Sequence, residues 1–177
     1  MADSAISWKK IYGQNRNFLE PIANRYFFCE DPQKITVEGY TGGKVDIERP
    51  LHADHMDRGN RVLPFDGEVY LAQSDIKDGM FRLMDAVNVD INGEVITYHS
   101  TSFEDARAVK ARIIQWIPIE DNVNVKIVMD DASIKTGLGE GALKNLEVGD
   151  IVQFERVGFA RLDEIADDEL IFYFAHK

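Results

Sequence analysis

Turn-bounded alternation constrains this chain more than any other feature in it. From residue 87 the order is Val87-Asn88-Val89-Asp90-Ile91-Asn92-Gly93-Glu94-Val95-Ile96-Thr97-Tyr98. Val87, Val89 and Ile91 alternate with polar side chains, the period of a strand with one face buried. Asn92-Gly93 supplies the positive φ angles of a two-residue type I′ hairpin. Short β-rich runs recur at 35–38, 44–47, 69–71, 81–83, 87–91, 95–98, 113–117, 123–129, 151–154, 159–162 and 170–174. Turn residues separate them and no helical period intervenes, so the pattern predicts an all-β fold of closed barrels. A chain of 177 residues has room for two. No linker divides the runs, which predicts that two barrels share strands.

Only the start of the chain reads differently. Ile6, Ile11, Phe18 and Ile22 fall at helix-compatible offsets, Gly13 weakens the middle, and Pro21 marks the end. Residues 1–25 are expected to form a short helical connector, and residues 26–177 the barrels.

Charge argues against one class of ligand. Twenty Lys and Arg against 31 Asp and Glu leave a net charge of −11, whereas nucleic-acid binders are usually basic. The acids cluster at Glu120-Asp121, Asp130-Asp131 and Asp163–Glu169, while basic residues recur at Arg25, Arg82, Arg107, Lys110 and Arg112. A basic face on an acidic domain is compatible with these positions, because the local field governs an approaching phosphate. No apolar run approaches the roughly 20 residues of a membrane helix. One cysteine and no basic-then-apolar leader point to a cytoplasmic protein.

Few side chains invite chemistry. His52-Ala53-Asp54-His55 lacks further ligands at metal-site spacing and reads as a polar surface loop. Gly137-Leu138-Gly139-Glu140-Gly141 lacks the Lys-Ser/Thr of a phosphate-cradling loop and reads as a flexible loop. Cys29 reads as a buried small apolar residue. The Trp8 and Trp116 indoles read as core or domain contacts ahead of base-stacking platforms. These readings favour a binding module over an enzyme and leave its ligand open.

A family resemblance narrows the choice. The stretch Asn15-Arg16-Asn17-Phe18-Leu19-Glu20-Pro21-Ile22-Ala23-Asn24-Arg25-Tyr26-Phe27 resembles the entry to the barrels of archaeal and eukaryotic glutamyl-tRNA synthetases. In order follow Asp31-Pro32-Gln33-Lys34-Ile35, Pro50-Leu51-His52, Arg58-Gly59-Asn60-Arg61 and Phe81-Arg82-Leu83-Met84-Asp85-Ala86-Val87. Lys110-Ala111-Arg112-Ile113-Ile114-Gln115-Trp116-Ile117, Val152-Gln153-Phe154-Glu155-Arg156-Val157-Gly158-Phe159 and the closing Tyr173-Phe174-Ala175-His176-Lys177 complete the set.

The resemblance implies two barrels that exchange N-terminal strands, with 26–177 as an anticodon-binding double barrel. The family's ATP-binding signatures do not occur in these residues. The expectation is a segment that binds the anticodon loop of tRNA(Glu) with no cofactor of its own. ATP and Mg²⁺ would serve the parent's catalytic domain, a further partner of this one. By resemblance, Arg25 and Gln153 contact the middle anticodon base and Arg82 the first, as Arg forks and amides pair with the edges of splayed bases. Lys77 is the candidate in the short 74–79 stretch, and Met84 stands where the family has a second arginine. Arg107, Lys110 and Arg112 complete the expected RNA face. A glutaminyl-tRNA synthetase domain and a protein-interaction barrel are the alternatives.

Overall fold

The computed structural model describes residues 7–177, apart from the side chains of Trp8 and Lys9. Ile6 and the indole of Trp8 therefore lie outside the described residues. Helix α1 (Trp8–Leu19) occupies the expected place and gives way to β1 (Asn24–Tyr26) and β2 (Phe28–Glu30). Its packed face is not the one the periodicity indicated. Ile11, Phe18 and Ile22 are exposed, and Leu19 and Ala23 are buried against Phe159.

Fourteen further strands follow: β3 (Pro32–Thr36), β4 (Val45–Pro50), β5 (Asn60–Phe65), β6 (Glu68–Ala72), β7 (Gly79–Leu83), β8 (Asn88–Asn92), β9 (Val95–Ser100), β10 (Arg112–Ile114), β11 (Ile117–Pro118), β12 (Asn122–Val128), β13 (Ile134–Glu140), β14 (Ile151–Phe154), β15 (Gly158–Ala166) and β16 (Glu169–His176). A short helix, α2 (Phe103–Ala108), separates β9 from β10. The Ser102 hydroxyl caps it by accepting from Asp105 N at 3.0 Å. Ser102-x-x-Asp105 is a readable helix-start signal that the strand pattern overshadowed.

The predicted sharing of strands takes a specific form. One sheet runs β1-β14-β15-β16-β12-β13-β2. Its two edge strands, β1 and β2, are consecutive in the chain and separated by Phe27 alone. That continuity draws the edges together and nearly closes the sheet into a barrel. Alternation then divides the crossing segment between two cores. Tyr26 and Phe28 join Val125, Ile127, Phe154 and Phe172 inside this barrel. Phe27 and Cys29 point the other way, into the core of Leu63, Phe65, Leu83 and Trp116. The reverse loan is made by β10 and β11, which pair with β7 and β6 of the first barrel.

The first barrel is assembled from three small sheets, ordered β10-β7-β8-β9, β11-β6-β3 and β4-β5. Its hairpin pairs Asn92 with Val95, so the turn residues are Gly93-Glu94. Of these only Gly93 takes positive φ (+62°), the single such residue of a type II′ turn rather than the two of type I′.

The glycine-rich stretch is no flexible loop: Ile134–Glu140 is strand β13, paired on both sides. A methyl group at Gly137 would collide with the Cys29 carbonyl of β2, so the glycine permits the two backbones to approach. Glu140, at the end of this strand, is 1 % exposed. It accepts from Phe27 N at 2.6 Å and Arg61 Nε at 2.7 Å, tying the crossing segment to both barrels. Burial pushes its carboxyl up to about 7, with Arg61 and the Phe27 amide pulling the other way.

His52 is likewise no surface residue. At 1 % exposure it lies under the end of α1, where its Nε2 donates to Glu20 O at 2.8 Å and its Nδ1 accepts from Asp54 N. Arg58 donates to Ile22 O and Pro21 O beside it. The 52–58 segment thus satisfies carbonyls that a helix end leaves without partners.

Candidate nucleic-acid interface

The positively charged and amide side chains singled out from the sequence fall into two groups. Arg25 and Gln153 face one another as direct register partners on the parallel pair β1–β14. Both are half-buried. Neighbouring strands in register bring two outward side chains within reach of one planar ligand. The Arg25 backbone is anchored to Leu51 O at 2.7 Å. Its Nη2 is held by Glu20 Oε1, while its buried Nε has no partner among the described residues. Gln153 makes no side-chain hydrogen bond among the described residues. A base edge offering an acceptor to the arginine and a donor or acceptor to the amide would complete this pair, provided it displaces Glu20.

The second group gathers on the sheet β10-β7-β8-β9. Arg112 and Ile113 of β10 stand opposite Phe81 and Arg82 of β7. Arg112 lies over the Phe81 ring, 4.3 Å from its centroid, and reaches toward Asp78 O. That contact places it beside the turn carrying exposed Lys77. Arg107 of α2 and Lys110 line a common depression with Phe103 and Ile113. Lys110 closes α2 in the left-handed region (φ +53°), a position that glycine usually fills.

Arg82 takes an unexpected orientation. It is 7 % exposed, and its Nη1 donates to Asn88 Oδ1, Thr101 O and Ser102 O. Neither Asp78 nor Asp85, close to it in sequence, pairs with it. Asp85 instead pairs with Arg49. Arg82 supports the 100–103 backbone from beneath, and the sequence carried no sign of this because the acceptors are mostly main-chain carbonyls.

Ion pairing separates the groups. Among the described residues nine cations have carboxylate partners: Arg25, Lys34, Lys44, Arg49, Arg61, Lys135, Lys144, Arg156 and Arg161. Lys77, Arg82, Arg107, Lys110 and Arg112 have none among the described residues. In a molecule with net charge −11, positive charge is therefore unneutralised at this end of the first barrel. Within a Debye length of about 8–10 Å the local field, rather than the overall sign, governs an approaching phosphate.

Comparison with known proteins decides what kind of module this is. Two family models, each described as tRNA synthetases class I (E and Q), anti-codon binding domain, match residues 23–104 and 113–163. Similar proteins include a glutamate–tRNA ligase of Methanobrevibacter smithii, 78 % identical over 177 residues. Those of Methanothermobacter thermautotrophicus and Methanocaldococcus jannaschii are 51 % and 38 % identical, over 100 % and 99 % of this chain. The chain belongs to this anticodon-binding family. It spans 32 % of the length of each of these relatives.

As an anticodon-binding double barrel, the chain can be tested for its own nucleotide or metal chemistry. The glycine-rich residues 137–141 are committed to β13 and its end, so they form no cradle for phosphates. Among the described residues no three His, Cys, Asp or Glu are grouped as metal ligands would be. Among the described residues no helix is long and apolar enough to cross a membrane. Cys29 is buried, and burial drives its thiol up to about 12, which suits a packing role. Trp116 is fully buried and donates to Met84 O at 3.0 Å.

Proposed function

We propose that this chain is the part of a glutamate–tRNA ligase that holds the anticodon loop of tRNA(Glu) while the rest of a longer parent joins glutamate to the tRNA with ATP and Mg²⁺. The relatives' names supply the amino acid, and their greater length leaves room for a catalytic domain as this domain's second partner. Such an enzyme works in the cytoplasm.

One observation carries the reading: Arg25 and Gln153, far apart in the chain, are brought into direct register at the surface. That pair is suited to an unstacked base, and the unpaired cations of the first barrel are suited to the adjoining backbone. The division of labour predicts both specificity and salt dependence. Titration of a labelled tRNA(Glu) anticodon stem-loop at two salt concentrations tests it. Affinity should fall as salt rises, and a loop altered at its middle anticodon base should bind more weakly. Arg25→Ala and Gln153→Ala should each erase that difference. Equal binding of both loops by the unaltered chain refutes the assignment.

A further inference from the structure

The depression beside α2 has properties that cations alone do not explain. Its volume is about 320 Å³, and its apolar lining is Phe103, Ala106, Ala111 and Ile113. Phe103 is 49 % exposed and Ile113 51 %. Among the chain's ten phenylalanines, only Phe18 and Phe103 are classed as exposed. Arg107 and Lys110 stand on the same depression without carboxylate partners.

The ring is also held from below. Arg82 Cζ lies 5.8 Å from the Phe103 centroid. Arg82 Nη1 and Asn88 Nδ2 together fasten Ser102 O, at 3.4 and 2.7 Å, and Arg82 also holds Thr101 O at 2.9 Å. Asn88 is itself fully buried. The backbone leading into Phe103 is therefore fixed before any ligand arrives, which lowers the entropy lost on binding.

We propose that Phe103 is a stacking platform for one unpaired base of the bound RNA, with Arg107 and Lys110 taking the phosphates on either side of it. The inference rests on the reading of this chain as an RNA-binding domain and adds a contact that reads no base edge. A flat aromatic face beside unpaired cations matches the two surfaces that every nucleotide presents, its π-face and its phosphate. Glu104 and Asp105 lie in the first turn of α2, so the strand is expected to leave on the Arg107–Lys110 side. Arg82 acts here as a positioning residue, ordering the turn that presents the ring.

The experiment is binding of the tRNA(Glu) anticodon stem-loop to Phe103→Ala, Phe103→Leu and Phe103→Trp, each checked for an unchanged melting curve. Alanine and leucine should weaken binding at least about fivefold, and tryptophan should restore it. The slope of log affinity against log salt should stay the same in all of them, because no charge is removed. A single 2-aminopurine scanned along the loop should be quenched at one position by the unaltered chain and released by Phe103→Ala. Alanine or leucine variants that bind as tightly as the unaltered chain, or quenching that survives Phe103→Ala, would overturn the platform while leaving RNA binding intact. Failure of the unaltered chain to bind any stem-loop at low salt would overturn the underlying reading, and this proposal with it.

Discussion

The two barrels solve the same packing problem in opposite ways. The second is one seven-stranded sheet closed by a borrowed segment, and all but a few of its cations are tied to carboxylates. The first is pieced together from three small sheets, and although Lys34 and Lys44 are paired, its exposed cations on and beside β10 and α2 are left without acidic partners among the described residues. A continuous sheet satisfies its own edges and supplies a rigid frame. A pieced body leaves short turns and a capped helix between its sheets, where exposed side chains can be presented. In the proposed division of labour, rigidity and register belong to the second barrel and attraction for the RNA backbone to the first.

The joint between them is the place to break that comparison. Removing the Glu140 carboxylate leaves buried Arg61, 3 % exposed, without its closest counter-charge and frees the Phe27 amide. Glu140→Ala should cost about 3–5 kcal/mol in chemical denaturation, and the remaining transition should stay single. Two separated transitions would mean that the barrels are thermodynamically independent. The group also leaves a mark on pH dependence. Its folded-state value near 7 lies above the ordinary 4.5, so the folded form keeps its proton longer. Its contribution to stability should therefore fall as pH rises from about 4.5 to 7 and stay level above that, a slope that Glu140→Ala should remove.

A smaller effect is expected where β2 touches β13. Gly137→Ala forces a methyl group against the Cys29 carbonyl, so one strand must shift. A loss of about 1–3 kcal/mol is the usual scale for overpacking. Thermal or urea unfolding measures it, and an unchanged midpoint would show that the crossing strand gives way freely.

Charge reversal sharpens the contrast in ligand binding. Lys110→Glu in the first barrel should weaken stem-loop binding and flatten its salt dependence by about one phosphate equivalent. Arg161→Glu, on a cation already paired with Asp163 in the second barrel, should change neither. Equal losses from both would abolish the proposed division of labour. The smallest effect concerns Arg25. Glu20→Gln releases its guanidinium from a competing carboxylate, and affinity for the stem-loop should rise a fewfold without a change in melting temperature.

Much of this architecture was legible before any coordinates, because alternating strands and a missing linker carry their own geometry. The exceptions have physical causes. Strand β5 escaped because Pro64 interrupts it and Arg61 points inward where an apolar residue would be expected. Strand β13 escaped because its glycines serve a close backbone approach, which composition reports as looseness. The amphipathic reading of α1 found a helix but assigned the wrong face, since Leu19 and Ala23 do the packing. At the interface, residue types were readable and neighbourhoods were not. Nothing in one dimension sets Arg25 beside Gln153, and nothing marks Arg82 as a support whose acceptors are mostly main-chain carbonyls.

The crossing segment also has a consequence in time. A ribosome releases Tyr26, Phe27, Phe28 and Cys29 well ahead of their partners: β1 waits for residues 152–154 and β2 for residues 137–139 before either finds its sheet. Until then a run of four buried-type side chains has no permanent home. Non-local pairing of this kind slows folding and lengthens exposure to wrong partners. Neither barrel is expected to close until residues 137–154 are available to it, so the two should fold together.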